Sequence, residues 1–87
     1  MKILRITALW CSSCLIMKSR WKVVFETFNE IELIDYDYDQ DEKLIKQLQI
    51  GQILPVLIVF QNDIEVARII GEKSVKELIK TFEGLSK

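Results

Sequence analysis

Hydrophobic and polar residues change their spacing several times along this chain, and each change marks an element. Lys2 to Ala8 is short, apolar and rich in Ile, Leu and Thr, which predicts a buried strand. From about Ser12 to Phe28 the apolar residues Cys14, Met17, Trp21, Val24, Phe25 and Phe28 recur at steps of three and four, one face of a helix. Lys18, Arg20, Lys22 and Glu26 take much of the other face, and Asn29 is placed to close the helix. Ile31 to Tyr38 alternates, with Ile31, Leu33, Asp35 and Asp37 on one side and Glu32, Ile34, Tyr36 and Tyr38 on the other. Asp39 or Asp41 offers an N-cap to a second helix, carried by Leu44, Ile45, Leu48 and Gln49 as far as Gly51. Pro55 opens a near-continuous apolar strand, Val56 to Phe60. Gln61-Asn62-Asp63 predicts a hairpin turn into a strand from Ile64 to Ile70, ended by Gly71. Ser74 then caps an amphipathic helix bearing Val75, Leu78, Ile79 and Phe82.

The order is β-α-β-α-β-β-α. Strands joined through helices pair in parallel by right-handed crossovers, and the hairpin adds antiparallel strands. The expected fold is α/β: a four-stranded mixed sheet with helices on both faces. Residues 1–87 read as one domain, with no repeat and no linker.

Composition narrows the chemistry. The 12 Lys and Arg against 13 Asp and Glu give a net charge of −1, without the basic excess of a phosphate-contacting nucleic-acid binder. There is no histidine, which excludes Ser-His-Asp and Cys-His catalysis and any zinc site with a histidine ligand. The run Ile53 to Phe60 is far too short to span a bilayer, and the first residues make a poor signal peptide. A soluble cytoplasmic protein is expected. The acids from Asp35 to Asp41 lack the glycine bend of a calcium loop and read as a solvated strand end and helix cap.

Two cysteines cannot build a disulfide framework, so their spacing carries the information. Cys11-x-x-Cys14 lies where the first strand turns into the first helix. Free N–H groups and partial positive charge at a helix start favour an anion, so Cys11 is expected to be the exposed, low-pKa thiol. Cys14, one turn on, lies on the apolar stripe and is expected to be buried. In a reducing compartment such a pair is catalytic or metal-binding. An iron–sulfur cluster would need thiolates from a partner. Trp10 either shapes a docking surface or packs on the rim of the sheet, and Trp21 belongs to the core. Leu15 and Ile16 fall off the stripe, either as an exposed docking patch or covered by a loop. At Leu54-Pro55, local sequence alone favours an ordinary trans bond.

Trp10-Cys11-Ser12-Ser13-Cys14 after a buried strand, Leu54-Pro55 before Val56 to Phe60, the Gln61-Asn62-Asp63 turn, Gly71 and the closing helix together resemble the thioredoxin superfamily. The likeness runs from Ile3 to Phe82 and is of glutaredoxin size. It implies a cis Pro55 facing the dithiol, with Leu54, Ser12, Ser13 and Trp10 around it. It implies dithiol–disulfide exchange with Cys11 as nucleophile and Cys14 as resolving thiol. No cofactor beyond that redox-active pair and no metal is implied. The implied partners are disulfide-containing proteins and a thioredoxin-reductase-like flavoenzyme, with no nucleic acid or membrane, and the chain acting as a monomer. A module of the same fold using the dithiol for a metal or an iron–sulfur cluster is the alternative.

Three departures stand out. Ser12-Ser13 replaces the usual Gly-Pro. Gly51 is farther from Pro55 than the family's glycine is from its proline. Gly71-Glu72-Lys73-Ser74 matches poorly the glutathione-holding turn of glutaredoxins. A fourth concerns charge: where thioredoxins place a buried acid beneath the dithiol and a lysine on the neighbouring strand, this chain has Arg5 and Asp35. The swap predicts a buried Arg5–Asp35 ion pair below the site, or alternatively two side chains reaching solvent at opposite ends of the sheet.

Overall fold

The computed structural model describes residues 1–28 and 30–85. Asn29, expected to close the first helix, lies outside the described residues. The elements are β1 (Lys2–Thr7), α1 (Ser12–Thr27), β2 (Glu32–Asp37), α2 (Glu42–Gln47), β3 (Val56–Gln61), β4 (Ile64–Ile70) and α3 (Val75–Leu85). They form one mixed sheet of order β2-β1-β3-β4. The β1–β2 pair is parallel, while β1–β3 and β3–β4 are antiparallel.

The alternation of β1 divides the core. Leu4, Ile6 and Ala8 face one side, with Ile45 of α2 and Val56 and Ile58 of β3. Ile3 faces the other, against Met17, Trp21 and Val24 of α1 and Leu78 and Phe82 of α3. Residues 56–59 are buried on both faces of the sheet, which is why the β3 sequence does not alternate. The α1 stripe is buried at Cys14, Met17, Trp21 and Val24 as its spacing demands.

Local chemistry sets the turns. Asn62 and Asp63 both have positive φ, 54° and 64°, the backbone of a two-residue type I′ hairpin turn, and Gln61 ends β3 instead of joining the turn. The Ser74 hydroxyl accepts the Glu77 N–H at 3.1 Å and donates to the Glu77 carboxylate at 3.2 Å, a side-chain cap on α3.

The second helix corrects the sequence expectation. It stops at Leu48, before Gly51, because Gln49 takes a left-handed conformation (φ 57°). The Gln49 N–H donates to Lys46 O at 3.1 Å and the Ile50 N–H to Ile45 O at 3.2 Å, the paired bonds of a Schellman stop. The Arg68 guanidinium of β4, on the same face of the sheet as its register partner Ile58, donates to Leu48 O at 2.8 Å and satisfies the helix end. Asp41 occupies the N-cap position without capping; its carboxylate accepts the Asp37 N–H at 2.8 Å. Among the described residues, no helix is long and apolar enough to cross a membrane.

Candidate functional site

β1 ends at Thr7, and the chain then rises out of the sheet. Ala8 is buried, Leu9 is 90% exposed and Trp10 60% exposed. Cys11 is the N-cap of α1, with extended backbone (φ −88°, ψ 104°). Its sulfur accepts the Cys14 N–H at 3.1 Å, where a Ser or Asp oxygen would ordinarily satisfy a free helix amide. Cys11 and Cys14 are joined by a disulfide, with their Cα atoms 5.3 Å apart. Ser12 and Ser13 are the first helical residues, Ser12 exposed and Ser13 half-buried.

Burial of the pair departs from expectation. Cys11 is not the exposed partner: it is 6% accessible and Cys14 4%. In the disulfide form the Cys11 sulfur turns back over the helix end towards Cys14, and both sulfurs join the cluster of Ala8, Ile45 and Leu54. The helix start supplies the Cys14 N–H as donor, and in the disulfide form both cysteines lie within the buried cluster.

The Leu54–Pro55 peptide is cis, as the family likeness implies and against the local sequence reading. Both residues are buried, Leu54 in the same cluster as the two cysteines. The Pro55 carbonyl accepts the Gly71 N–H at 2.8 Å, which ties this segment to the turn before α3. Gly71 has φ 85° there, so it supplies a backbone shape as well as a strand end.

Trp10 is held from a distant part of the chain. Its indole N–H donates to the Asp39 carboxylate at 2.7 Å, and its ring meets Tyr38 edge-on with centroids 5.9 Å apart. The Tyr38 N–H donates to Thr7 O at 2.8 Å, which brings this turn beside the end of β1. Sequence reading took Asp39 as a potential helix cap and missed its role as a partner of Trp10. Leu15 and Ile16 are 62% and 47% exposed, so no loop covers them. Leu9, Trp10 and Ile53, which flank the buried Ala8, Cys11 and Leu54 in the sequence, are exposed as well.

Arg5 and Asp35 are direct partners in the β1–β2 register. The guanidinium forms a fork on the carboxylate, Nε to Oδ1 at 2.6 Å and Nη2 to Oδ2 at 3.0 Å. The pair is not buried: the side chains are 22% and 56% exposed. β2 is an edge strand, so Asp35 has water on one side where a central strand would have protein. The Arg5 guanidinium also lies 4.9 Å over the Trp21 ring. Arg5, Asp35, Cys14, Lys18, Trp21 and Asp37 line one cleft of about 180 Å³.

The thioredoxin family model matches residues 1–84. No curated protein matches the chain. Among solved structures, thioredoxin-2 of the malaria parasite, described as a component of its protein secretion machinery, is 24% identical over 95% of this chain and 81% of its own, with a TM-score of 0.84. Thioredoxin 1 from the thermophilic eubacterium Thermosipho africanus is 23% identical, covering 99% of this chain and 94% of that one, with a TM-score of 0.83. Thioredoxin O2 from Arabidopsis thaliana, in its oxidised state, is 23% identical over 99% and 75%, with a TM-score of 0.83. At such identities these structures establish a common fold. The family model adds a sequence match along nearly the whole chain, through both cysteines and Pro55, and the chain belongs to the thioredoxin family.

Proposed function

We propose that this chain is a dithiol–disulfide oxidoreductase acting on proteins, a small thioredoxin-like reductase. The observation that carries the reading is the Cys11–Cys14 bridge at the start of α1, with the Cys11 sulfur accepting a helix N–H. That placement suits a thiolate leaving or attacking at Cys11. In the reductive direction the Cys11 thiolate attacks one sulfur of a partner disulfide and expels the other as a thiolate, which takes a proton from water. The Cys14 thiolate then attacks Cys11 Sγ, forming the Cys11–Cys14 bond and breaking the bond to the partner. Two electrons pass to the partner, and its released thiolate takes a proton from water. Leu54 of the cis-prolyl segment packs in the same cluster as the two cysteines, and Leu9, Trp10, Leu15 and Ile53, next to these segments in the chain, are exposed and suit docking of a partner chain. Ser12 and Ser13 begin the helix between the two cysteines.

Related folds support the kind of partner. Solved structures of similar fold include thioredoxin f2 in complex with ferredoxin:thioredoxin reductase. Another comes from work on a yeast mitochondrial 1-Cys peroxiredoxin resolved through glutathione and thioredoxin systems. For this chain the corresponding reading is a monomeric single-domain protein of the cytoplasm. It needs no cofactor beyond its own disulfide, accepts disulfide-bearing proteins and is recharged by a thioredoxin-reductase-like flavoenzyme.

The test is equilibration of the Cys11–Cys14 couple against glutathione buffers, with trapping by Cys14→Ser. A potential near about −270 mV together with trapped mixed disulfides supports a reductase. A value near about −120 mV makes the chain an oxidant instead. A coloured protein that traps nothing would replace this reading by the cluster-binding one.

A further inference from the structure

The cleft beside Cys14 carries two cations and two carboxylates: Arg5 from β1, Lys18 from α1, and Asp35 and Asp37 from β2. They differ in how firmly they are held. Lys18 is exposed, and water and salt screen its charge. The Asp37 carboxylate is committed to the backbone N–H groups of Asp39 and Gln40, at 2.9 and 3.0 Å. Arg5 is fixed on three sides: by its strand position, by the Asp35 fork and by the Trp21 ring beneath it. Its side chain is only 22% exposed, and a guanidinium stays charged across the working pH range.

Resting on the exchange reaction above, we propose that Arg5 is a positioning residue for Cys14: a permanent cation, clamped by Asp35, that favours the Cys14 thiolate in the resolving step. A fixed cation beside a thiol favours its ionised form, and a fixed carboxylate opposes it. Arg5 and Asp35 therefore act on Cys14 with opposite signs, although they act on the fold with the same sign. Favouring the thiolate also favours the reduced dithiol over the disulfide.

The opposite signs make the test. In a Cys11→Ser background Cys14 is the single thiol, and its ionisation is followed by ultraviolet thiolate absorbance against a cysteine-free control. No exchange activity is needed for this measurement. Arg5→Met is expected to raise the pH at which Cys14 ionises, cutting its thiolate fraction at pH 7 about threefold to tenfold. Asp35→Asn is expected to lower that pH, and Arg5→Lys, which keeps the charge, to leave it nearly unchanged. If Arg5→Met does not fold, the comparison of Asp35→Asn with Arg5→Lys carries the test. Shifts in the same direction for Arg5→Met and Asp35→Asn, or no shift in any variant, would overturn the proposal. With both cysteines present, Arg5→Met should also lower the reduced fraction in a fixed glutathione buffer. A wild-type chain that fails to equilibrate with glutathione, while the Cys14 titrations still split, would count against the exchange reading and not against the role of Arg5.

Discussion

The Trp10 indole donates its N–H to the Asp39 carboxylate across 29 positions of sequence, at 2.7 Å. The bond anchors the residue immediately before Cys11 to the turn after β2, with the Tyr38 ring against its face or edge limiting its swing. Removing the acceptor should free the indole. Asp39→Ala is expected to increase quenching of Trp10 fluorescence by a soluble quencher, since Trp10 is 60% exposed and Trp21 is 2% exposed and shielded. The stability cost should be about 1 kcal/mol, that of an ordinary hydrogen bond. Unchanged quenching would show that Tyr38 alone holds the ring.

Gly71 joins the cis-prolyl segment to α3 through its N–H to Pro55 O. A Cβ at this position would meet Ile53 Cγ2 at 3.5 Å, an ordinary contact, so space is not the obstacle. The backbone is, because φ is 85°. Gly71→Ala is expected to destabilise the fold by about 1–2 kcal/mol, and Gly71→Asn by less, because asparagine tolerates the left-handed region. Denaturant midpoints check the order. Equal losses for the two variants would point to a steric cause.

The Arg5–Asp35 fork is well formed but wet. A double-mutant cycle of Arg5→Met and Asp35→Asn is expected to give a coupling of about 0.2–1 kcal/mol, that of an exposed pair. A coupling near the about 3–5 kcal/mol lost on breaking a buried pair would mean that Asp35 is shielded in solution.

Arg68 fixes the end of α2 and pairs with Glu65, Nη2 to Oε1 at 2.9 Å and Nε to Oε2 at 3.0 Å. The hydrogen bond from Arg68 holds the Glu65 carboxyl below its ordinary value of 4.5, against a smaller opposing effect of burial. Because folding weakens proton binding at Glu65, its contribution is complete above pH 4.5 and is lost as pH falls through the lower folded value. Wild type should therefore lose more stability than Glu65→Gln on acidification through that window. The difference should be at most about 1 kcal/mol, since both side chains are partly exposed. Urea unfolding at several pH values measures it, and parallel curves would mean that Glu65 gains nothing from Arg68.

Periodicity and punctuation determined most of the fold. The α1 stripe, the two-sided apolar run of β3, the Asn62-Asp63 turn and the Ser74 cap are local preferences, and local preferences are written in consecutive residues. The candidate dithiol was legible for the same reason: Cys11-x-x-Cys14 straddles a helix start. What tertiary structure alone decided depends on distance and water. Arg68, reaching from β4, satisfies a helix end at Leu48, where sequence reading extended the helix to Gly51. Asp39 serves Trp10 because β2 runs beside β1, not because of anything adjacent to either residue. Local statistics favoured a trans Pro55, whereas the folded chain carries a cis Leu54–Pro55 peptide. The pairing of Arg5 with Asp35 could be anticipated from their places in the strands, but not its exposure. Solvation depends on what packs outside a strand, and at the edge strand β2 that is water. For Cys11 the same reason ran the other way, since the residue bridged to Cys14 lies with Leu54 in a buried cluster, where its position at the helix start predicted exposure.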